Sequence, residues 1–524
     1  MNIRKYHYPD YNLLSPDDLN AILKRPIEYA IGEKEVQRLN RIMSYYDYYD
    51  GKQHKDALGR FVSANELERP DGMAYDPTRF STNYFKAFIK RKARWQMAGD
   101  HGVSVKPKSQ RQSDVDLAKN HQELINQLWK DNKFTSKKIR IARDRLIAGM
   151  IACKLVFNER TGKLHWIWHK ATEVFPMYSR DGFNDLIGVD IIVPQEDEDD
   201  ENKTNYWKQS FRLTEDYSDC ILNEALYDEN LELIETYIKD QSLGLDFVPI
   251  TLFEVSDLIT RDSYNDEIED MITLTQRLNS MMEDATDALK FEMFNLLIVK
   301  NAREGTASQL RVAPGAVLEV KSDKDGVEAD VNTIENHFQW KEAYKDQYNR
   351  IKSALHELAG LPQIVPQELN FGGLNDRALQ VLYQDAIQET DEHWLSWQDA
   401  FKELHEKSVK YLQARSSKSK FAYDRDVVNR IEDYETEVNF VLPLPDDRDT
   451  LVDLLIKEID GGLESLRGAQ RRLGVENVEE KMAEILKERR ERAASFDPYS
   501  KQTEGNDADD SGGDEEGEDV KDET

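Results

Sequence analysis

Ile268, Met271, Thr275, Leu278, Met282, Ala285 and Leu289 succeed one another at alternating spacings of three and four residues. That period predicts a helix of about seven turns carrying one seam along its length. Short strand-like stretches follow, FNLLIVKNA, VAPGAVLEV and KDGVEADV, with turn signals at Pro314, Gly315, Asp325 and Gly326. Helical spacing then returns through Trp340, Tyr344, Tyr348, Ile351, Leu355 and Leu358, and stops at Gly360 and Pro362. One helix leaves, a small β-containing unit intervenes, and another helix comes back.

The stretch that follows, AGLPQIVPQELNFGGLNDRALQ, holds Ile364, Val365, Leu369 and Phe371 between two prolines and a Gly-Gly pair. Helical pattern resumes with Asn375 or Asp376 as the cap and runs to about Ala414, with Trp394, Trp397, Phe401 and Leu404 as its apolar face. Its roughly 39 residues would span about 58 Å. Read from the residues alone, the loop packs its apolar side chains against its own scaffold, as connections between helices mostly do.

Ahead of this excursion, Pro16 to Tyr49 reads as helix broken at Pro26, with Leu39, Ile42, Met43 and Tyr46 as a stripe and Gly51 as the stop. A second helix, STNYFKAFIKRKARWQMAG, is capped by Ser81 or Thr82 and closes near Gly99. The basic stretch KKIRIARDRLIAGMI (137–151) reads as a helix packed on a sheet with its Lys and Arg solvated, in preference to a DNA-binding helix. Hairpins are predicted around Arg160–Gly162 and Asp181–Gly182, and further strands near NYWKQSFRL, SDCILNEAL and LELIETYIK. The acidic run from Glu196 to Glu201 reads as a solvated loop between strands. After RSSKSK, EVNFVLPLP is a strand, and helices follow around 451–459, 463–472 and 478–492. The Gly-, Asp- and Glu-rich tail from Ser495 has the composition of a disordered segment.

The chain is 524 residues long and 39% hydrophobic, enough for about three folded units. Its net charge is −31, of which the last 24 residues supply −9, so acidity is general. Such a surface gains no affinity for DNA from counterion release, which argues against tight duplex binding while allowing DNA to slide past. No apolar run approaches the ~18 residues of a membrane span, and no signal-peptide core is evident, so a cytoplasmic, membrane-free protein is expected. Cys153 and Cys220 are too far apart in sequence to suggest a metal or disulfide motif and are expected as core thiols.

Signatures of catalysis are lacking. There is no P-loop, no GxGxxG after a strand and no GxSxG, and HELAG at His356 lacks the second histidine of a zinc helix. His165 and His169 would share one face of a strand, a geometry able to hold a metal, but without a third ligand they read as a structural pair. No catalytic residue, metal or cofactor is expected.

The order of elements resembles the portal proteins of tailed bacteriophages, of the siphophage type. YYDGKQH, STNYFKAFIKRKARWQMAGD, FVPITLFEV, VAPGAVLEV, GLNDRALQVLYQ and EVNFVLPLPDDRDTLVDLLIKEIDGG sit where that family has comparable segments, up to about Arg492. The resemblance implies an α+β, ring-forming, portal-like fold. A mixed α/β wing would occupy 1–263, two stem helices 264–291 and 336–360, and a small β-containing clip 292–335. A tunnel loop would follow at 361–375, then the long wing/crown helix at 376–414, an α-helical crown at 415–494, and the acidic tail at 495–524. It implies a homo-oligomer of about twelve copies at one capsid vertex of the virion, assembled in the bacterial cytoplasm. Double-stranded DNA would pass through the ring during packaging and ejection. The terminase large subunit and a head-completion or adaptor protein would dock on it, and scaffolding and major capsid proteins would surround it.

By position, the DNA-facing residues would be Pro362, Gln363, Ile364, Val365, Pro366, Gln367, Glu368, Leu369, Asn370 and Phe371, with Gly360, Gly372 and Gly373 as hinges. Lys341, Lys345, Arg350 and Lys352 would form positive rings in the channel or pair with acidic residues of adjacent subunits; subunit contacts are expected for most. Two competing readings are a non-ring phage adaptor or scaffold and a metal-dependent nuclease built on the carboxylate-rich loops.

Overall fold

The computed structural model describes residues 16–51, 78, 82–196, 203–255, 266–293, 296–300, 330–334, 340–363, 381–443, 448–473 and 478–495. The chain divides into two compact units, 1–443 and 444–524. The first begins with α1 (Pro16–Leu23) and α2 (Glu33–Asp50), separated by a single 3-10 turn after Pro26, and α2 ends at Gly51 in the left-handed region at φ 73°. Next come α3 (Tyr84–Met97), β1 (Gly102–Ser104), α4 (Gln112–Asp131) and α5 (Phe134–Ala148).

Eight strands follow: β2 (Met150–Asn158), β3 (Lys163–Lys170), β4 (Val174–Tyr178), β5 (Leu186–Glu196), β6 (Thr204–Leu213), β7 (Cys220–Tyr227), β8 (Leu233–Ser242) and β9 (Ile250–Glu254). They make two antiparallel sheets, β3-β2-β9 and β4-β5-β6-β7-β8. Both predicted hairpins are present. In the first, Gly162 has φ 71°, and a Cβ there would lie 2.8 Å from the backbone of Lys420 and Phe421, so only glycine fits. Cys153 and Cys220 are buried free thiols, as expected.

The excursion then runs through α6 (Asp266–Met293), the antiparallel pair β10 (Leu296–Lys300) and β11 (Asp330–Ile334), and α7 (Trp340–Leu358). The chain returns to the sheets as α8 (Gln384–Arg415), α9 (Arg425–Arg430) and β12 (Glu437–Asn439). β12 pairs with β1 across 335 positions, Val103 facing Val438. The second unit holds α10 (Arg448–Asp460), α11 (Leu466–Arg472) and α12 (Val478–Ser495), the three helices expected there. Its tail beyond Ser495, like the acidic run from 197 to 201, lies outside the described residues.

The core of the first unit is aromatic. On α8, Trp397, Phe401 and Leu404 recur at helical spacing and are buried; Phe253 of β9 lies 5.4 Å from the Trp397 ring and 5.3 Å from Phe401. Beside them His405 is fully buried between two partners: its Nε2 accepts from Trp129 at 3.0 Å, so its Nδ1 proton is directed at Thr436 Oγ1, 2.8 Å away. Burial pushes its pKa down to about 3, so it stays neutral. At the five-stranded sheet, Asp190 is buried on Arg25 (2.7 Å) and Arg212 (2.6 Å), which tie the segment after α1 to β5 and β6.

Three local expectations are corrected. The cap of α3 is Asn83, whose side-chain oxygen accepts from the Lys86 amide at 2.8 Å, in place of Ser81 or Thr82. The cations of α5 are not all solvated: Lys138 reaches the Gly99 carbonyl, and Arg145 is fully buried, donating to the Glu254 carbonyl at 2.6 Å and lying 4.4 Å over the Trp397 ring. Helix α4 was not expected between the second helix and the basic one.

Candidate functional site

The seam of α6 changes character along its length. Ile268, Met271, Thr275 and Leu278 are buried against the body of the unit, Met282 and Ala285 are half-buried, and Leu289 is 42% exposed. Polar contacts fix the buried half: Tyr45 donates to Glu269 at 2.7 Å, and the Thr82 amide donates to Asn279 at 3.0 Å. Farther out, the Thr78 amide donates to the Asp287 carboxylate at 3.0 Å. This carboxyl is held below its ordinary range because the Thr78 and Lys290 contacts more than offset its burial.

α7 packs beside α6 and also touches α3 through its side chains. The Tyr84 and Tyr348 hydroxyls are 3.2 Å apart, the Tyr344 and Tyr348 rings stack at 6.1 Å, and His356 meets Phe88 edge-on at 5.0 Å. Ile351 and Leu355 are buried, whereas Leu358 is 37% exposed. Lys341, Lys345 and Lys352, four and then seven positions apart, fall on one side of α7 and Arg350 on the opposite side. Lys341, Lys345 and Arg350 are exposed, and none of these four cations forms an ion pair with another described residue. The sequence grouped them as one set; the helix divides them.

The loop begins in an ordered turn. Gly360 has φ 60°, its amide donates to the Glu357 carbonyl at 3.0 Å, and the Leu361 amide donates to the His356 carbonyl at 3.1 Å, a Schellman end. Leu361 is buried, Pro362 half-exposed and Gln363 exposed, its Oε1 accepting from Ser353 at 3.1 Å. Ile364, Val365, Pro366, Gln367, Glu368, Leu369, Asn370, Phe371, Gly372 and Gly373 lie outside the described residues, as does the expected cap at Asn375 or Asp376.

On the far side of the loop, the Tyr383 ring at the head of α8 lies 5.1 Å from Trp95 of α3. Between these two anchor points, Lys92 Nζ of α3 sits 2.7 Å from Glu389 Oε1 of α8, and His393 Nε2 is 3.5 Å from the same oxygen. Sequence reasoning missed Lys92 and Glu389, because nothing local marks a lysine on a helix stripe as buried.

Metal-type groupings fail to converge. His169 Nδ1 contacts Glu173 at 3.0 Å, and no three His, Cys, Asp or Glu side chains among the described residues could hold an ion. No described helix is long and apolar enough to cross a membrane.

The sequence profile of the family described as "Phage portal protein, SPP1 Gp6-like" matches residues 30–495, nearly nine-tenths of the chain. The chain belongs to that portal protein family. No curated protein matches it. A solved structure described as "Neck of empty GTA particle computed with C6 symmetry" is similar over 74% of this portal chain and 89% of its own, at 13% identity and a TM-score of 0.39, too distant a likeness to place any element. As a portal protein the chain is a head–tail connector component of a phage.

Proposed function

We propose that the chain closes into a homo-oligomeric ring of about twelve copies at one capsid vertex. The ring is the channel for double-stranded DNA during packaging and ejection. The observation that supports this best is the seam of α6. Among the described residues the stripe keeps its apolar period to Leu289 while its cover falls away beyond Leu278. A neighbouring copy of the same helix pair supplies that cover, and such head-to-tail contact closes rings.

In this arrangement residues 1–263 form the wing, 264–291 and 336–360 the stem helices, 292–335 the clip, 376–414 the long wing/crown helix and 415–494 the crown. The clip receives the terminase large subunit and later a head-completion protein, while scaffolding and major capsid proteins meet the ring's outside. Residues 361–375 form the tunnel loop: Gly360 turns the chain off α7, Gly372 and Gly373 give freedom at the far end, and Ile364, Val365, Leu369 and Phe371 touch DNA without strong charge pairing. The acidic balance of the chain, repeated by every subunit, discourages adhesion of phosphate. Lys341, Lys345 and Lys352, lying together on one side of α7, meet carboxylates of the adjacent subunit.

Light scattering with negative-stain imaging tests the ring. The expected mass is roughly 730 kDa, about twelve times 60.9 kDa, with an axial hole wide enough for a duplex of about 20 Å. A monomer or dimer at every concentration rejects the ring and favours a non-ring adaptor. Deleting 363–371 is expected to leave assembly intact and to reduce DNA packaging or retention; a normal yield of full heads rejects the loop's role.

A further inference from the structure

We propose that Lys92 and Glu389 are positioning residues for the channel loop, a clamp between α3 and α8 that fixes where the loop leaves the body of the subunit. The inference rests on reading 361–375 as the channel loop, and it deepens that reading by naming what aims it. Three observations carry it. Glu389 lies directly against the loop's first turn: a Cβ on Gly360 would sit 2.7 Å from Glu389 Oε2. Lys92 and Glu389 are joined at 2.7 Å, with the lysine side chain only 5% exposed. The start of the loop and the head of α8 lie beside the same helix: Leu361 lines a small cleft with Lys92 and Gln96 of α3, and the Tyr383 ring is 5.1 Å from Trp95.

The clamp holds a charge under the turn. Burial by itself raises the Glu389 carboxyl, but His393 and Lys92 more than offset this and keep it below its ordinary value. The carboxylate therefore stays ionised beneath Gly360, where it holds α3 and α8 at one spacing. Because α3 also carries Phe88 and Tyr84 against α7, the helix that ends in the loop and the helix that follows it share one reference. The sequence expectation put a hinge at Gly360; in the structure Gly360 sits in an ordered turn against Glu389.

The test is a spin label on assembled full-length rings. Gln363→Cys places a label on an exposed residue, and the two native cysteines are buried and will not react. A control label at Phe183→Cys, 80% exposed on a distant hairpin turn, reports general loosening. Glu389→Gln, which keeps shape, and Lys92→Met are each expected to shorten the rotational correlation time at 363 by about two-fold, with no change at 183, and Lys92→Arg to restore it. Unchanged mobility at 363 in both variants, or an equal change at 183, overturns the proposal. Should Lys92→Met fail to assemble, Glu389→Gln alone decides. Full-head yield in the same variants separates the two ideas: raised mobility at 363 with a wild-type yield upholds the clamp and rejects the channel reading of the loop.

Discussion

The sheet-bearing body of the first unit and the α6–α7 pair that leaves it are built from similar apolar periods, yet they finish differently. Around Trp397 every apolar face is met by another part of the same chain: Phe253 from β9, Phe401 one turn along, and Arg145 over the indole. Along α6 the same kind of stripe is closed as far as Leu278 and left open at Leu289. Identical local rules give a helix in both places; what differs is how fully the described residues cover the stripe. The body is closed by its own side chains, and the outer half of the pair is not covered to the same degree.

The sharpest way to break this contrast is to damage each side separately. Trp397→Ala removes the largest fully buried side chain and is expected to cost about 3–5 kcal/mol in denaturant unfolding, with assembly lost as a consequence. Leu289→Glu should do the reverse, abolishing the ring by native mass while shifting the unfolding of the isolated chain by no more than about 0.5 kcal/mol. A Leu289→Glu chain that still forms rings would place the subunit seam elsewhere.

Acid should bear most heavily on the body, although burial lowers the pKa of His356 of α7 as well. His405 and His121 are buried in the body and their pKa values are pushed down by burial, to about 3 and about 4. The unfolded chain takes up protons near pH 6.5 while the folded one refuses them. Stability is therefore complete above pH 6.5 and falls as the pH drops from there toward about 4. The slope is up to about 1.4 kcal/mol per pH unit for each histidine. Denaturant midpoints at pH 7 and pH 5 measure it, and a flat profile would mean that these histidines are not held neutral. The smallest effect is expected from Lys345→Ala, exposed on the pair: ring dissociation at low salt should ease by about 0–1 kcal/mol per contact, with the body unaffected. A change confined to DNA passage would put Lys345 in the channel lumen.

Much of the fold was legible because period and punctuation agree. The seam from Ile268, the Gly162 and Gly182 hairpins and the Gly360 stop each combine a repeat with a residue that can end it. Helix α4 escaped notice although Ala118, His121, Leu124, Ile125 and Leu128 follow helical spacing, because a histidine stands in the middle of the buried stripe. The buried cations were invisible for a deeper reason. Arg145 and Lys92 are accommodated by Glu254 and Glu389, more than a hundred positions away, and no local pattern records a partner at that range. The site suffered most from this: its helices could be read, but the clamp between them could not.

The pairing of β1 with β12 has a consequence for how the protein is made. Strand β9 is synthesised well before Trp397 and Phe401, and Val103 long before Val438, so the ribosome releases the whole excursion while the body that carries it is still unfinished. The outer part of the α6 seam, exposed at Leu289, is thus made before the aromatic core of the body can close. The same topology makes the excursion an insertion between two halves of one body, anchored at its base by the buried half of α6 and by Ile351 and Leu355 of α7.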